Sequence, residues 1–254
     1  MQINLLGRIA LVTGASGQLG RVMVRTLATA GADVVIHYRQ NEAKANELRT
    51  EVEAQGRKAM TVQADITDKE SVFAMRDEVV EHLGAPHIVV TNAVSQIHPW
   101  STVLEEDLKD YTDQFQSCVM QNVLMAKAFV PGMIEMGYGR YIGINTECAM
   151  QTFVSQSAYA SAKRGMDGVL RVLAKEVGEH QITVNQVAPG WTISDKDREA
   201  GSGHDAHYIQ NVPLKRRGTD QEIANAVAFL ASDLASFITG AYIPVCGGNV
   251  MPRI

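Results

Sequence analysis

A chain of 254 residues, 46% of them hydrophobic and 20% charged, is long enough to fold as one α/β unit with a sizeable core. Its formal net charge of −5 excludes a concentrated basic surface for nucleic acid, and the short Lys215-Arg216-Arg217 run reads as a solvated turn. No run reaches the ~20 apolar residues of a membrane span, no secretory leader pattern opens the chain, and three scattered cysteines, Cys118, Cys148 and Cys246, suit reduced thiols, so a cytoplasmic location is expected.

In chain order, short strand-like runs at 9–12, 34–38, 59–63, 88–91, 141–145, 183–187 and 241–245 alternate with amphipathic stretches at 18–30, 42–55, 69–83, 105–136, 156–178 and 220–231. Several of the short runs are continuously apolar, as parallel strands covered on both faces require. Alternation of this kind predicts an α/β fold: a Rossmann-type doubly wound sheet of about seven parallel strands with helices on both faces. Gly31 is placed to end the first helix. Residues 1–254 are expected to form a single dinucleotide-binding unit. The polar, weakly periodic segment 192–212 reads as an irregular loop near the substrate.

The first strand runs into Thr13-Gly14-Ala15-Ser16-Gly17-Gln18-Leu19-Gly20, which opens a helix. Glycines there permit a tight turn and close backbone approach, and the helix N-terminus offers free N–H groups to a pyrophosphate. After the second strand the sequence reads His37-Tyr38-Arg39-Gln40, with no acid to hold a ribose 2′-hydroxyl. A guanidinium pairs with a 2′-phosphate where a carboxylate repels it. NADP(H) is therefore expected in preference to NAD(H), with Arg39 as the main contact and Tyr38 beside it.

Tyr159 and Lys163 stand four residues apart near the start of a helix, which puts both side chains on one face. A phenol titrates near pH 10, too high for a base at neutral pH, and a nearby ammonium lowers that value. Such a pair moves a proton to or from a substrate oxygen while hydride moves at carbon.

With these marks in place, the whole chain resembles the short-chain dehydrogenase/reductase family. The resemblance rests on the glycine turn, Asp65-Ile66, Asn92-Ala93, Asn122, Thr146, the Tyr159/Lys163 pair and Asn185 to Gly190. It also rests on the C-terminal pieces Pro213-Leu214, Arg217-Gly218, Ile238-Thr239-Gly240 and Val245 to Gly248, which look like bacterial 3-oxoacyl reductases of the family. The resemblance implies that Gly14, Ser16, Gly17, Gln18 and Leu19 cradle the cofactor. Asp65 and Ile66 then contact the adenine, Asn92 and Ala93 support the central strand, and Lys163 also holds the nicotinamide ribose. Pro189, Gly190 and Thr192 pack against the nicotinamide. Asn122 distorts its helix and holds a water in a proton relay, and Thr146 orients the substrate carbonyl. Four departures stand out: Thr146 for the usual serine, Gln18 for the usual glycine, Val94 for the glycine after Asn-Ala, and Thr91 for the preceding asparagine.

The expected activity is reduction of a ketone or 3-oxo group to a secondary alcohol, or the reverse. The alternatives are a non-catalytic cofactor-binding sensor or scaffold, motivated by those departures, and a sugar-nucleotide epimerase or dehydratase of the extended branch, motivated by the glycine spacing. Thr146, Cys148, Tyr159 and Trp191 are the expected substrate contacts, with His98, Trp100, Met150, Phe153 and Tyr208 as further pocket candidates. His204 and His207 lack a third ligand nearby, so no metal is expected. The resemblance implies a homotetramer, or a homodimer, packed through the helices at 105–136 and 156–178.

Overall fold

The structure is a computed structural model and describes residues 2–95, 100–201 and 205–251. Seven strands form one all-parallel sheet: β1 (Ile9–Val12), β2 (Asp33–Tyr38), β3 (Ala59–Gln63), β4 (Ile88–Thr91), β5 (Gly139–Ile144), β6 (Ile182–Pro189) and β7 (Tyr242–Val245). Their spatial order is β3-β2-β1-β4-β5-β6-β7. The order reverses between β1 and β4, where Leu11 pairs with Val35 on one side and with Val89 on the other. In such sheets the crevice beyond the strand C-termini at this switch point receives the ligand.

Helices cover both faces. On one side α1 (Gln18–Thr29), α2 (Glu42–Glu53) and α10 (Asp220–Ala231) bury Met23, Leu27, Leu48, Ile223 and Val227 against Val12, Val34 and Ile36. On the other, α3 (Lys69–His82), α5 (Gln121–Met136) and α7 (Ser157–Val177) bury Met75, Met125, Phe129, Met166 and Leu170 against Leu11, Val89 and Val184. Burial of this kind is worth about 25 cal/mol per Å² of apolar surface. Gly31 ends the first helix at φ +107°, the expected use of a glycine there.

Three expectations are corrected. The single helix at 105–136 is two helices, α4 (Leu108–Phe115) and α5, joined by a wide π turn at Gln116–Met120. Polar side chains bonding back one turn accompany the widening: Ser117 Oγ to Asp113 O at 2.8 Å and Asn122 Nδ2 to Cys118 O at 2.7 Å. The stretch Leu108–Met136 is long and apolar enough to cross a membrane by composition, but 61% of its most apolar window is buried inside the protein. The segment 192–212 is not wholly irregular: it contains α8 (Asp195–Glu199), capped by a Ser194–Asp197 capping box, and α9 (Ala206–Asn211), capped by Asp205. A short helix missing from the sequence reading, α6 (Cys148–Gln151), follows β5.

Candidate active site

The glycine turn leaves β1 and enters α1 beneath the switch point. Gly14 has φ +63°, and a Cβ there would lie 3.0 Å from Ala93 Cα; a Cβ on Gly20 would lie 2.3 Å from Gly14 O. The turn therefore closes only with glycine at both positions. Helix α1 opens at Gly17 with no side-chain cap, so its first N–H groups face the crevice. This cradle suits a pyrophosphate.

Two polar devices fix the turn. Asn92 Nδ2 donates to Thr13 O at 3.0 Å, and Thr13 Oγ1 accepts from the N–H groups of Asn92 (2.9 Å) and Ala93 (3.0 Å), tying β1 to β4. From the other side, His37 Nδ1 accepts from Gly14 N at 3.0 Å while its Nε2 meets Ala64 O at 3.0 Å. Those partners assign a neutral ring protonated at Nε2. Burial pushes its pKa down to about 4, because a charged imidazole loses its water there.

A cleft of about 630 Å³ runs along this edge. It is lined by Gly14, Ser16, Gly17, Gln18, Leu19, Arg39, Asp65, Ile66, Asn92, Ala93, Tyr159, Lys163, Pro189, Gly190 and Thr192, all of them expected cofactor contacts. Tyr38 is the exception. It is buried in the core beside Val34 and Ile36, and the alternation of β2 turns His37, not Tyr38, toward the cleft. The exposed Arg39 pairs with Asp65 at 3.1 Å at the far end. Burial raises the Asp65 pKa, but bonds from Thr67 and the Arg39 charge outweigh it and hold the carboxyl below its ordinary range.

At its other end the cleft meets Tyr159, Lys163 and Thr146. Tyr159 and Lys163 project from the first turns of α7, and Thr146 follows β5. Thr146 is anchored three ways: its N–H donates to Asn145 Oδ1 at 2.9 Å, its Oγ1 accepts from Cys148 N at 3.3 Å, and its carbonyl accepts from the Tyr242 hydroxyl. Asn145 is itself held by Gln186 Oε1 at 2.7 Å and Lys163 O at 3.1 Å. The Lys163 ammonium is buried, lies 5.8 Å from the Tyr159 ring centroid and donates to Ile144 O at 2.7 Å. The sequence reading expects a lowered phenol pKa at Tyr159. Here burial pushes it up, and the opposing influence comes from the Thr146 hydroxyl rather than from Lys163.

Asn122 does not line the cleft. It is fully buried behind it, with Oδ1 accepting from Thr91 Oγ1 at 2.8 Å and from the Tyr141 hydroxyl at 3.1 Å; its carbonyl accepts from Tyr141 at 3.2 Å. Thr91 is thus one of Asn122's direct partners. Gln18 likewise finds partners: its amide reaches Ile193 O at 3.0 Å and Asp220 Oδ1 at 2.8 Å, and accepts from Asp195 N at 3.1 Å.

A second cavity of about 1010 Å³ adjoins the first at Tyr159 and Thr146. Cys148, Trp191, Trp100, Phe153 and Tyr208 line it as expected. Met150 does not; it faces a separate hollow with Arg164 and Tyr242. His98 and His204 lie outside the described residues. Glu147, next in line after Thr146, also lines the cavity and was not among the expected site residues. Its buried carboxylate accepts from the Tyr208 hydroxyl at 2.7 Å and from Asn249 Nδ2 at 3.0 Å. Burial raises its pKa, and those bonds resist the rise. An acid directly after Thr146 is a signal the sequence does carry.

Comparison with known proteins agrees with the fold. A family model described as enoyl-(acyl carrier protein) reductase covers residues 14–249. The chain is 36% identical to 3-oxoacyl-(acyl-carrier-protein) reductase of Pseudomonas aeruginosa, over 98% of this chain and all of that one. The chain belongs to the short-chain dehydrogenase/reductase family. It is an NAD(P)-dependent oxidoreductase of that family. The corresponding Escherichia coli reductase is also 36% identical, over 98% of this chain and all of the other. Among solved structures, a 7α-hydroxysteroid dehydrogenase complexed with NADH and 7-oxo glycochenodeoxycholic acid superposes with a TM-score of 0.90 at 29% identity, covering 99% of this chain and 97% of its own. A putative gluconate dehydrogenase from Agrobacterium tumefaciens superposes at 0.91 with 26% identity, covering 99% of this chain and all of the other.

Proposed function

We propose that this chain interconverts a ketone or 3-oxo group and a secondary alcohol, with NADP(H) preferred and NAD(H) accepted. The observation that carries the reading is the meeting of the two cavities at Tyr159 and Thr146, with Lys163 lining the first beside them. A reduced dinucleotide held with its pyrophosphate at the glycine turn would supply hydride to the carbonyl carbon from its nicotinamide end, beside Tyr159 and Lys163. Thr146 Oγ1 donates to the carbonyl oxygen and orients it. Tyr159 gives its proton to that oxygen as the alcohol forms. Lys163 holds the nicotinamide ribose and lowers the phenol pKa once released from Ile144 O. Asn122 supports proton resupply from behind, through the helix it distorts. Cys148 and Trp191 contact the substrate.

Arg39, exposed at the open end of the cleft, supports the preference for a 2′-phosphate, which would take the guanidinium over from Asp65. We take residues 1–254 as one cofactor-binding unit, with 192–212 as its substrate-facing segment, assembled as a homotetramer or homodimer. The test follows nicotinamide absorbance with NADPH and with NADH over a panel of ketones and 3-oxo esters. Oxidation of NADPH at the higher kcat/KM is expected, with Arg39→Glu reversing the preference. Tight cofactor binding with no turnover across the panel favours a sensor instead.

A further inference from the structure

The second cavity has a chemical character that the proton chemistry does not require. Its wall holds two carboxylates, Glu147 and Asp205, and among its described residues neither a lysine nor an arginine. The Arg217 guanidinium lies 4.4 Å over the Trp191 ring and is taken up by Asp197 at 2.8 Å and Thr192 O at 2.6 Å. His207 is the one described imidazole in the wall. An anionic substrate group finds acids there in place of a counter-charge.

The same wall is rich in acceptors. The amide oxygens of Gln151 and Gln156 are buried beside the cavity with no hydrogen-bond partner. An unmatched buried acceptor is costly, and a donor brought by a ligand relieves it once either side chain turns its oxygen into the cavity. The Glu147 carboxylate, already accepting from Tyr208 and Asn249, retains lone pairs beside Thr146. Two indoles, Trp100 and Trp191, supply flat apolar walls; Trp100 meets Tyr159 edge to face at 5.9 Å. Flat apolar walls with acceptors between them match a ligand with apolar faces and a rim of hydroxyls.

We propose that this cavity takes an uncharged, hydroxyl-rich carbonyl compound or its alcohol, of the ketose or cyclitol kind, rather than a carboxylated, phosphorylated or long acyl substrate. The inference rests on the oxidoreductase reading above for its reaction, but the recognition it describes is separable from turnover. Glu147 is then a specificity-determining residue, set one position from the carbonyl-orienting hydroxyl.

The test uses the protein's own tryptophans, since the chain has two and both line the cavity. Fluorescence titration of the NADP⁺-bound protein compares a neutral cyclitol and a ketohexose with a hexuronate, a ketohexose phosphate and a 3-oxobutanoyl thioester. The neutral polyols are expected to bind at least tenfold more tightly than the charged analogues and the thioester. Glu147→Gln is expected to bring the hexuronate to within about threefold of the neutral ligand, as loss of a facing charge requires. NADP⁺ affinity of the same variant checks its fold, and Asp205→Asn offers a second variant should it fail. Equal or tighter binding of the carboxylated or phosphorylated analogue overturns the proposal, as does turnover confined to the thioester. Selective polyol binding with no turnover of any ketone removes the oxidoreductase reading and leaves this one standing.

Discussion

At the scale of single residues, the site depends on groups whose charge state is set by what surrounds them. His37 is the clearest. Its neutral ring holds the glycine turn through Gly14 N and is depressed to about pKa 4 from an unfolded value near 6.5. Between those values the unfolded chain binds more protons, so stability rises with pH there. Its full contribution is present above pH 6.5 and declines progressively as pH falls to about 4; the shift corresponds to about 3 kcal/mol. Denaturant melts at pH 4.5 and 7.5 are expected to show a loss that His37→Asn reduces; an identical pH dependence in the variant contradicts the assignment. Tyr38 and His37 also show what sequence leaves open. Both lie in one short strand, and which of them faces the cleft depends on a phase of one residue. The stretch that lines the cleft was legible; its inward residue was not. Glu147 was missed for a related reason: an acid in a loop reads as solvated until the fold closes Tyr208 and Asn249 over it.

At the scale of elements, Tyr159 and Lys163 are brought beside Thr146 by how α7 lies on β5. Gly143 is the point of closest approach: a Cβ there would lie 2.4 Å from Met166 Cε and 2.5 Å from Leu170 Cδ1. Gly143→Ala is expected to cost about 1–3 kcal/mol by overpacking, lowering Tm by several degrees. It also shifts Tyr159 and Lys163 relative to Thr146, so kcat falls while cofactor affinity stays within a few-fold. Calorimetry beside steady-state kinetics checks both, and a variant with native Tm and kcat contradicts the packing account. The strand and helix periods were legible because each element is either continuously apolar or one-sided. The π turn was not legible in that period, because side chains bonding back to the main chain at Ser117 and Asn122 leave the apolar spacing unchanged; only the family resemblance, which implies a helix distorted at Asn122, pointed to it. Nor were α6, α8 and α9, which at four to six residues are too short to show a helical period.

At the scale of the whole molecule, strand order could be anticipated from βα alternation because right-handed crossovers leave few ways to wind such a chain. How copies assemble could not, since apolar residues on a helix serve a sheet or a neighbour equally. The structure leaves Leu104, Leu108, Phe115, Phe153 and Val154 exposed, and a groove lined by Val103, Leu104, Phe153 and Val154 runs beside α7. Clustered apolar surface of this kind marks an interaction face, so light scattering is expected to give two or four copies, and Leu108→Glu to shift the mass downward; a wild-type monomer contradicts that reading. The central claim is that Tyr159 transfers the proton while Thr146 and Lys163 position and tune it, and single-turnover oxidation of NADPH by a reactive ketone with Tyr159→Phe tests it most directly. The account predicts a fall of roughly 10²–10⁴ in the rate of hydride transfer with NADPH affinity unchanged; a variant that oxidises NADPH within threefold of the wild-type rate contradicts it.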